Sequence, residues 1–96
     1  MKLYRLVKSA KKNKRYRIYM ESHFHDFGQK DGRTFIDGRS EKEKKNWIAR
    51  HKSNPNWNSF HSPIYQSRFL LWEEDTLDKA IKKYEKKHNV KIKKNF

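Results

Sequence analysis

The chain has 96 residues, of which 25 are lysine or arginine and 11 are aspartate or glutamate, so its formal net charge is +14. This length suits one small domain and not two, and no apolar run approaches the ~18 residues that span a bilayer. The N-terminus lacks the apolar segment of a signal peptide, and the absence of cysteine excludes disulfides, thiol catalysis and zinc sites with cysteine ligands.

The first predicted elements are two strands joined by a basic turn. In residues 15–21, apolar side chains alternate with arginine and tyrosine, which is the period of a half-buried strand. Residues 2–8 form the other strand, and the polar connector 9–14 is of hairpin type. Two pairs compete for the inner side of residues 2–8: Leu3 with Val7, or Tyr4 with Leu6.

A second hairpin is predicted over residues 23–37. Phe24 and Phe27 precede the turn 28–32, and residues 33–37 form the returning strand. Asp-Gly pairs at 31–32 and at 37–38 are turn signals. Together the two hairpins predict a four-stranded antiparallel meander.

After Gly38 the apolar period changes from that of a strand to that of a helix. Ser40 and Glu43 form a capping box, which predicts a first helix running to about residue 52. Cations at its end, Arg50 and Lys52, are candidate phosphate contacts, although the helix dipole alone also favours them there.

Two further helices complete the predicted fold. Ser62 followed by proline begins a helix over 63–72, which we expect to be the most buried element. Thr76 caps a third helix with an apolar stripe and a lysine-rich face. The predicted fold class is therefore α+β, with the small antiparallel meander packed against two or three short helices in a single domain, residues 1–90. The basic tail 91–96 is either a flexible arm or an added edge strand.

Six aromatic residues are concentrated between positions 47 and 72, and we interpret them as core because the chain has few aliphatic residues to fill an interior. They are Trp47, Trp57, Phe60, Tyr65, Phe69 and Trp72. Three tyrosines of the first hairpin lie among lysine and arginine and are better candidates for stacking on nucleic-acid bases: Tyr4, Tyr16 and Tyr19.

The charge is concentrated at the two ends of the chain. Residues 1–20 carry a net charge of +8, residues 21–76 carry none, and residues 77–96 carry +6. Basic ends of this kind attract polyanions, of which nucleic acid is the most abundant in a cell or virus particle. The predicted phosphate-binding residues, expected to form one continuous cationic surface, are Lys8, Lys11, Lys12, Lys14, Arg15, Arg17, Lys79, Lys82, Lys83, Lys86 and Lys87.

No motif in the chain predicts catalysis. His23, His25 and Asp26 are donor types for a divalent metal, but nothing in the sequence requires a third or fourth ligand to join them. The sequence has no G-x-S-x-G, P-loop or H-E-x-x-H. We therefore expect no enzymatic activity, no bound metal and no cofactor.

Four blocks of sequence carry a family resemblance: Phe27-Gly28 followed by Gly32, Trp47-Ile48-Ala49-Arg50-His51-Lys52, Asn56-Trp57, and Ser67-Arg68-Phe69-Leu70-Leu71-Trp72. They resemble a family of small, basic proteins encoded by large double-stranded DNA viruses of algae and protists, over about residues 2–90. The resemblance brings no catalytic residues. It implies a viral source and a location in the virion or the infected cell, in its cytoplasm or nucleus.

The function expected from these observations is non-enzymatic binding of nucleic acid by a virus-encoded, genome-associated protein that contacts phosphates without reading sequence. The expected partners are nucleic acid, DNA in preference to RNA, or acidic virion proteins. The alternative is a minor capsid or other virion structural protein that uses its basic ends for protein contacts. A host-interaction factor is a third possibility.

Overall fold

In the computed structural model, which describes residues 1–96, a four-stranded mixed sheet carries three helices on one face. The strands are β1 (Lys2–Lys8), β2 (Lys14–Tyr19), β3 (Phe24–Gln29) and β4 (Val90–Lys94), in the order β3-β2-β1-β4. β2 is antiparallel to both β1 and β3, whereas β4 is parallel to β1. The predicted α+β class is confirmed, and the fully antiparallel meander of two hairpins is wrong.

The predicted second hairpin fails at its returning strand. Residues Phe35–Asp37 form a short 3₁₀ helix instead. The Asp37 carboxylate accepts hydrogen bonds from the backbone N–H and the hydroxyl of Thr34, both at 2.9 Å, and Gly38 follows with φ of +96°. Local hydrogen bonding by aspartate therefore overrides the strand propensity of the intervening Phe-Ile pair.

The first helix, α1 (Glu41–His51), begins at the predicted capping box. The Ser40 hydroxyl accepts from the Glu43 backbone N–H at 3.1 Å, and the Glu43 carboxylate accepts from the Ser40 N–H at 3.1 Å. Trp47 is its one buried residue, and the partly buried Ile48 packs against the same core.

The second helix, α2 (Pro63–Ser67), continues into a π-helical turn, Arg68–Trp72. Ser62 caps it through the backbone N–H of Tyr65, with proline in the first turn. Of positions 65–72 only residues 68 and 69 are not buried, so the prediction that this segment is the most buried helix is confirmed. No helix of the protein has the length and hydropathy to cross a membrane.

The third helix, α3 (Leu77–His88), begins at the predicted cap Thr76 and ends at Asn89, whose φ of 53° lies in the left-handed region. That residue turns the chain directly into β4, where Val90 and Ile92 are buried beside β1. Of the two alternatives for the C-terminal segment, the structure therefore shows the edge strand.

Side chains on β1, β2 and β4 alternate between the core and the opposite face of the sheet. Tyr4 and Leu6, not Leu3 and Val7, face the helices. They join residues of the other strands and of all three helices in one cluster. Five of the six aromatic residues between positions 47 and 72 belong to this cluster or pack against it. The sixth, Tyr65, is also buried, so their interpretation as core is confirmed.

Candidate nucleic-acid interface

No helix covers the second face of the sheet. Alternation along the strands brings to this uncovered face a mixture of exposed cations and aromatic or aliphatic side chains. We call it the uncovered face, and its principal residues are Leu3, Arg5, Arg17, Tyr19, Phe24, Lys91 and Lys93.

Two aromatic rings lie side by side on the uncovered face. Tyr19 of β2 is paired in register with Phe24 of β3, and their ring centroids are 5.9 Å apart. Phe24 is 51% exposed. The Arg5 guanidinium lies 4.7 Å from the Tyr19 centroid and that of Arg17 lies 4.3 Å from the Phe24 centroid. Rings flanked by cations form a surface on which unpaired bases can stack.

The uncovered face has one strand carboxylate, Asp26, and Arg17 neutralises it. The Arg17 Nε and Nη2 atoms donate to the two Asp26 oxygens at 2.9 and 3.0 Å, and the Ser9 hydroxyl donates to one of them at 2.6 Å. The hydrogen bonds from Arg17, and then that from Ser9, hold the pKa of Asp26 below its usual range. Arg17 is thus held in place beside the rings, while Arg5, Lys91 and Lys93 form no ion pair.

The predicted phosphate-binding residues of the first hairpin fall into two groups. Arg15 donates to both carboxylate oxygens of Asp37, Arg17 is bound to Asp26, and the Lys11 ammonium lies 3.9 Å from Asp26. The other three hairpin lysines have no acidic partner: Lys8, Lys12 and Lys14.

The predicted phosphate-binding residues of α3 lie in the helical layer, on the other side of the sheet from Tyr19. Lys79 pairs with Asp75 at 3.1 Å, and Lys83 pairs with Glu73 at 2.9 Å and Glu74 at 3.2 Å. Lys82, Lys86 and Lys87 are exposed and have no acidic partner. Acidic residues therefore neutralise part of the α3 group, and the sheet separates that group from the uncovered face. That the hairpin lysines and the α3 lysines form one continuous surface stays a prediction.

The bond between Arg15 and Asp37 gives a prediction for stability. Hydrogen bonds from Arg15, and then from Thr34, lower the pKa of Asp37 from 3.8 to about 2. A carboxyl whose pKa is lower in the folded state stabilises the fold above its unfolded pKa and loses that contribution as the pH falls towards 2. We expect Asp37→Asn to lower the free energy of unfolding by about 1–2 kcal/mol near pH 7.

Urea unfolding near pH 7 and near pH 3 checks this expectation, because the difference between wild type and Asp37→Asn should narrow in acid. Asp31→Asn, at an exposed turn aspartate with no ion pair, is the control. A gap of constant size at both pH values would contradict the role given to the Asp37 charge.

The predicted metal-donor residues are divided by the pleat of β3. Asp26 lies on the uncovered face with Arg17, whereas His25 pairs with Ile18 on the other face. The His61 ring packs against His23 at 4.4 Å and His25 at 5.8 Å between centroids. Burial, and then His61 and His23, lower the pKa of His25. No group of three or more histidine, aspartate or glutamate side chains is arranged to hold a metal ion.

Only part of the uncovered face is predictable from the sequence. Three tyrosines were predicted to stack on bases. The prediction is wrong for Tyr4 and Tyr16, because both are buried. Tyr19 alone lies beside cations on the uncovered face. The sequence predicts Phe24 only as a strand residue. Its position opposite Tyr19 depends on the register between β2 and β3, which the sequence does not reveal. Apolar and basic residues alternate in 90–94, and this pattern places Lys91 and Lys93 on the same side of a strand. The structure shows them together on one side of β4.

Comparison with known proteins gives one match. The model of a family described as a family of unknown function, DUF5754, matches residues 4–51, which is half of the chain. The match covers most of β1 and the whole of β2, β3 and α1. No curated protein and no solved structure matches the chain.

Proposed function

The chain belongs to DUF5754, a family of unknown function, and because that membership assigns no activity we propose, from the surface itself, that the protein binds single-stranded nucleic acid on the uncovered face. The function expected from the sequence, non-enzymatic binding without sequence readout, is retained in this proposal. The proposed phosphate contacts are different: they are Arg5, Lys91 and Lys93, and no longer the lysines of α3.

The observation that carries the proposal is the pair of rings, Tyr19 and Phe24, beside unpaired cations. Each stacked base contributes about 1–3 kcal/mol and tolerates any sequence, because every base has a flat face. Arg5 lies on the strand next to that of Tyr19, and Lys91 and Lys93 lie on the strand after it. Because neighbouring strands are about 4.8 Å apart, the whole sheet is only about 14 Å wide. Bases on the rings would therefore leave their phosphates close to these cations.

The same geometry favours a single-stranded ligand over a duplex. Bases within a duplex are stacked on each other and offer only their edges, so side chains that project as flat rings from a sheet find no free base face. Phosphate contacts alone would hold a duplex more weakly. Under this proposal the protein associates with a genome, as expected for a virus-encoded basic protein, at stages when the polynucleotide is unpaired.

Salt dependence of binding tests the proposal. Fluorescence anisotropy of a labelled oligothymidine should show binding near about 50 mM salt, with log affinity falling linearly with log salt. Each phosphate contact in a single-stranded ligand contributes about −0.7 to the slope. The triple variant Arg5→Gln, Lys91→Gln, Lys93→Gln should therefore make the slope shallower by about 2 units.

A charge-matched triple variant elsewhere on the chain is the control: Lys42→Gln, Lys82→Gln and Lys86→Gln, at exposed positions in the helical layer. It should leave the slope nearly unchanged. Equal effects of the two triples would contradict a contact surface on the uncovered face, because binding would then depend on net charge and not on the position of the cations. If no oligonucleotide binds at about 50 mM salt, the proposal fails, and a virion structural role that uses protein contacts becomes the better explanation.

A further inference from the structure

A second basic site lies away from the uncovered face, in a cleft of about 870 Å³ between the end of the β2–β3 hairpin, the 3₁₀ helix, α1 and α2. Its volume is within the roughly 300–1,000 Å³ of small-molecule sites in proteins. Four cations line the cleft: Lys14, Arg33, Arg39 and Arg50. Apolar and aromatic residues line it as well, among them Trp47, Trp72 and Ile64.

Three of the four cleft cations have no acidic partner. Arg39 pairs with Glu43 at 2.6 Å, and Glu43 also caps α1, so the one carboxylate lining the cleft is already engaged. Arg33 donates only to the backbone carbonyl of Asp37, at 3.2 Å. Lys14 and Arg50 form no ion pair, which leaves the cleft a net positive charge to be met by an anion.

The aromatic side of the cleft is rigid. The indole rings of Trp47 and Trp72 stack at 5.1 Å with an interplanar angle of 13°, and the His51 ring stacks on the other face of Trp47 at 4.5 Å. Both indoles are about nine-tenths buried. Their exposed edges, with Ile64, therefore give the cleft a fixed apolar part beside its cations.

We propose that this cleft binds a nucleoside phosphate, with Arg33, Arg50 and Lys14 around the phosphate and the base against the tryptophan edges. An inorganic anion would contact only the cations and would leave the apolar part of the cleft exposed to water. Guanidinium groups suit phosphate because they donate several hydrogen bonds in a plane. The nucleoside phosphate can belong to a free nucleotide or to the phosphorylated end of a polynucleotide.

The tryptophans allow a direct test. Trp57 lies outside the cleft lining, so a Trp57→Phe background leaves Trp47 and Trp72 as the only reporters. We expect their fluorescence to change saturably with adenosine monophosphate, and more weakly with inorganic phosphate alone. Arg33→Gln and Arg50→Gln should each weaken the binding of the nucleotide roughly tenfold or more, the usual effect of losing a hydrogen bond to a charged group.

Lys45→Gln is the matched control, because Lys45 is exposed on the same helix as Arg50 but does not line the cleft. Oligothymidines with a 5′-phosphate or a 5′-hydroxyl distinguish the two sources of the ligand. A fluorescence change with the 5′-phosphorylated form but not with the 5′-hydroxyl form assigns the end of a polynucleotide. Equal responses to the two forms, together with binding of the free nucleotide, assign a free nucleotide.

Three results would overturn this inference. One is the absence of any fluorescence change with the nucleotide and with the phosphorylated oligonucleotide, up to about 1 mM. The second is inorganic phosphate binding as tightly as the nucleotide, and the third is equal weakening by Lys45→Gln. The triple variant Arg5→Gln, Lys91→Gln, Lys93→Gln should bind the nucleotide normally, so failure of the uncovered face and failure of the cleft are separate outcomes.

Discussion

Replacing both Tyr19 and Phe24 by serine is expected to lower the affinity for single-stranded oligothymidine by about 2–4 kcal/mol, roughly 30- to 1,000-fold. The two rings stand 5.9 Å apart on neighbouring strands, and under the proposal each stacks on a base beside the guanidinium group that lies over it. The unpaired cations remain in the double variant. Its residual binding should therefore keep the steep salt dependence of the wild type while the affinity at every salt concentration is lower.

The measurement is fluorescence anisotropy at fixed salt, with a duplex of the same length as a second ligand. Affinity for the duplex should change little, because its bases are already stacked. Leu3→Ser is the matched control, since Leu3 is an apolar residue of the same face and is 65% exposed but has no ring. Tyr19→Phe should bind like the wild type.

Equal losses for the single-stranded and duplex ligands would contradict base stacking. The losses would then report a general change in the sheet, and thermal unfolding of the double variant would reveal it. Phe24 is half-exposed, and its main contacts are Tyr19 and the guanidinium of Arg17. We therefore expect the double variant to remain folded.

The helices were predictable because the signals that begin and end them are local. Ser40 with Glu43, Ser62 with Pro63, and Thr76 each lie within three residues of the backbone groups that they satisfy. The structure places a helix start at each of them. Such contacts need no knowledge of the rest of the chain.

The sheet was less predictable because its pairing depends on distant residues. β4 pairs with β1 across more than 80 residues of chain, Val90 opposite Lys2, and no local signal specifies a parallel partner. The strand predicted at 33–37 fails for a different reason, which is a set of hydrogen bonds made by one side chain. Asp37 closes a 3₁₀ helix with Thr34 and binds Arg15, and the strand-like pattern of residues 33–37 does not reveal these bonds.

The candidate site shows a similar division. Composition identified an excess of cations, but whether a cation is available for a ligand depends on which acids fold next to it. Arg15 and Lys83 are engaged by acids far away in sequence or across a helix boundary, whereas Arg5 and Arg50 are not. Counting charges along the chain therefore predicts a polyanionic partner but does not predict which surface would bind it.

A large loss of stability is expected when Gly28 is replaced by alanine. Its φ is +77°, and a Cβ there would lie 2.8 Å from the Leu71 Cδ1 atom and 3.3 Å from the Arg15 Cβ. Leu71 is only 1% exposed, so its side chain must shift within the core or towards the cleft that it lines. Left-handed strain of about 1–2 kcal/mol adds to overpacking of about 1–3 kcal/mol.

Gly28→Ala should therefore lower the free energy of unfolding by about 3 kcal/mol, which corresponds to a fall in Tm of roughly 12–24 °C for a domain of this size. Gly38→Ala separates the two causes, because Gly38 also has a positive φ, +96°, but a Cβ added there would meet no atom within 4 Å. It should cost only the strain, about 1–2 kcal/mol. Thermal and urea unfolding of both variants check the difference.

A double variant tests whether Leu71 is the source of that difference. Leu71→Ala removes the Cδ1 atom and is itself destabilising, by about 2–5 kcal/mol. In that background the further cost of Gly28→Ala should fall to that of Gly38→Ala, because only the backbone strain remains. Two results would contradict this explanation. One is simple additivity of the free-energy costs of Gly28→Ala and Leu71→Ala, and the other is a cost of Gly28→Ala no greater than that of Gly38→Ala in the wild-type background. In either case the contact between β3 and the π-helical turn would not be what excludes a side chain at position 28.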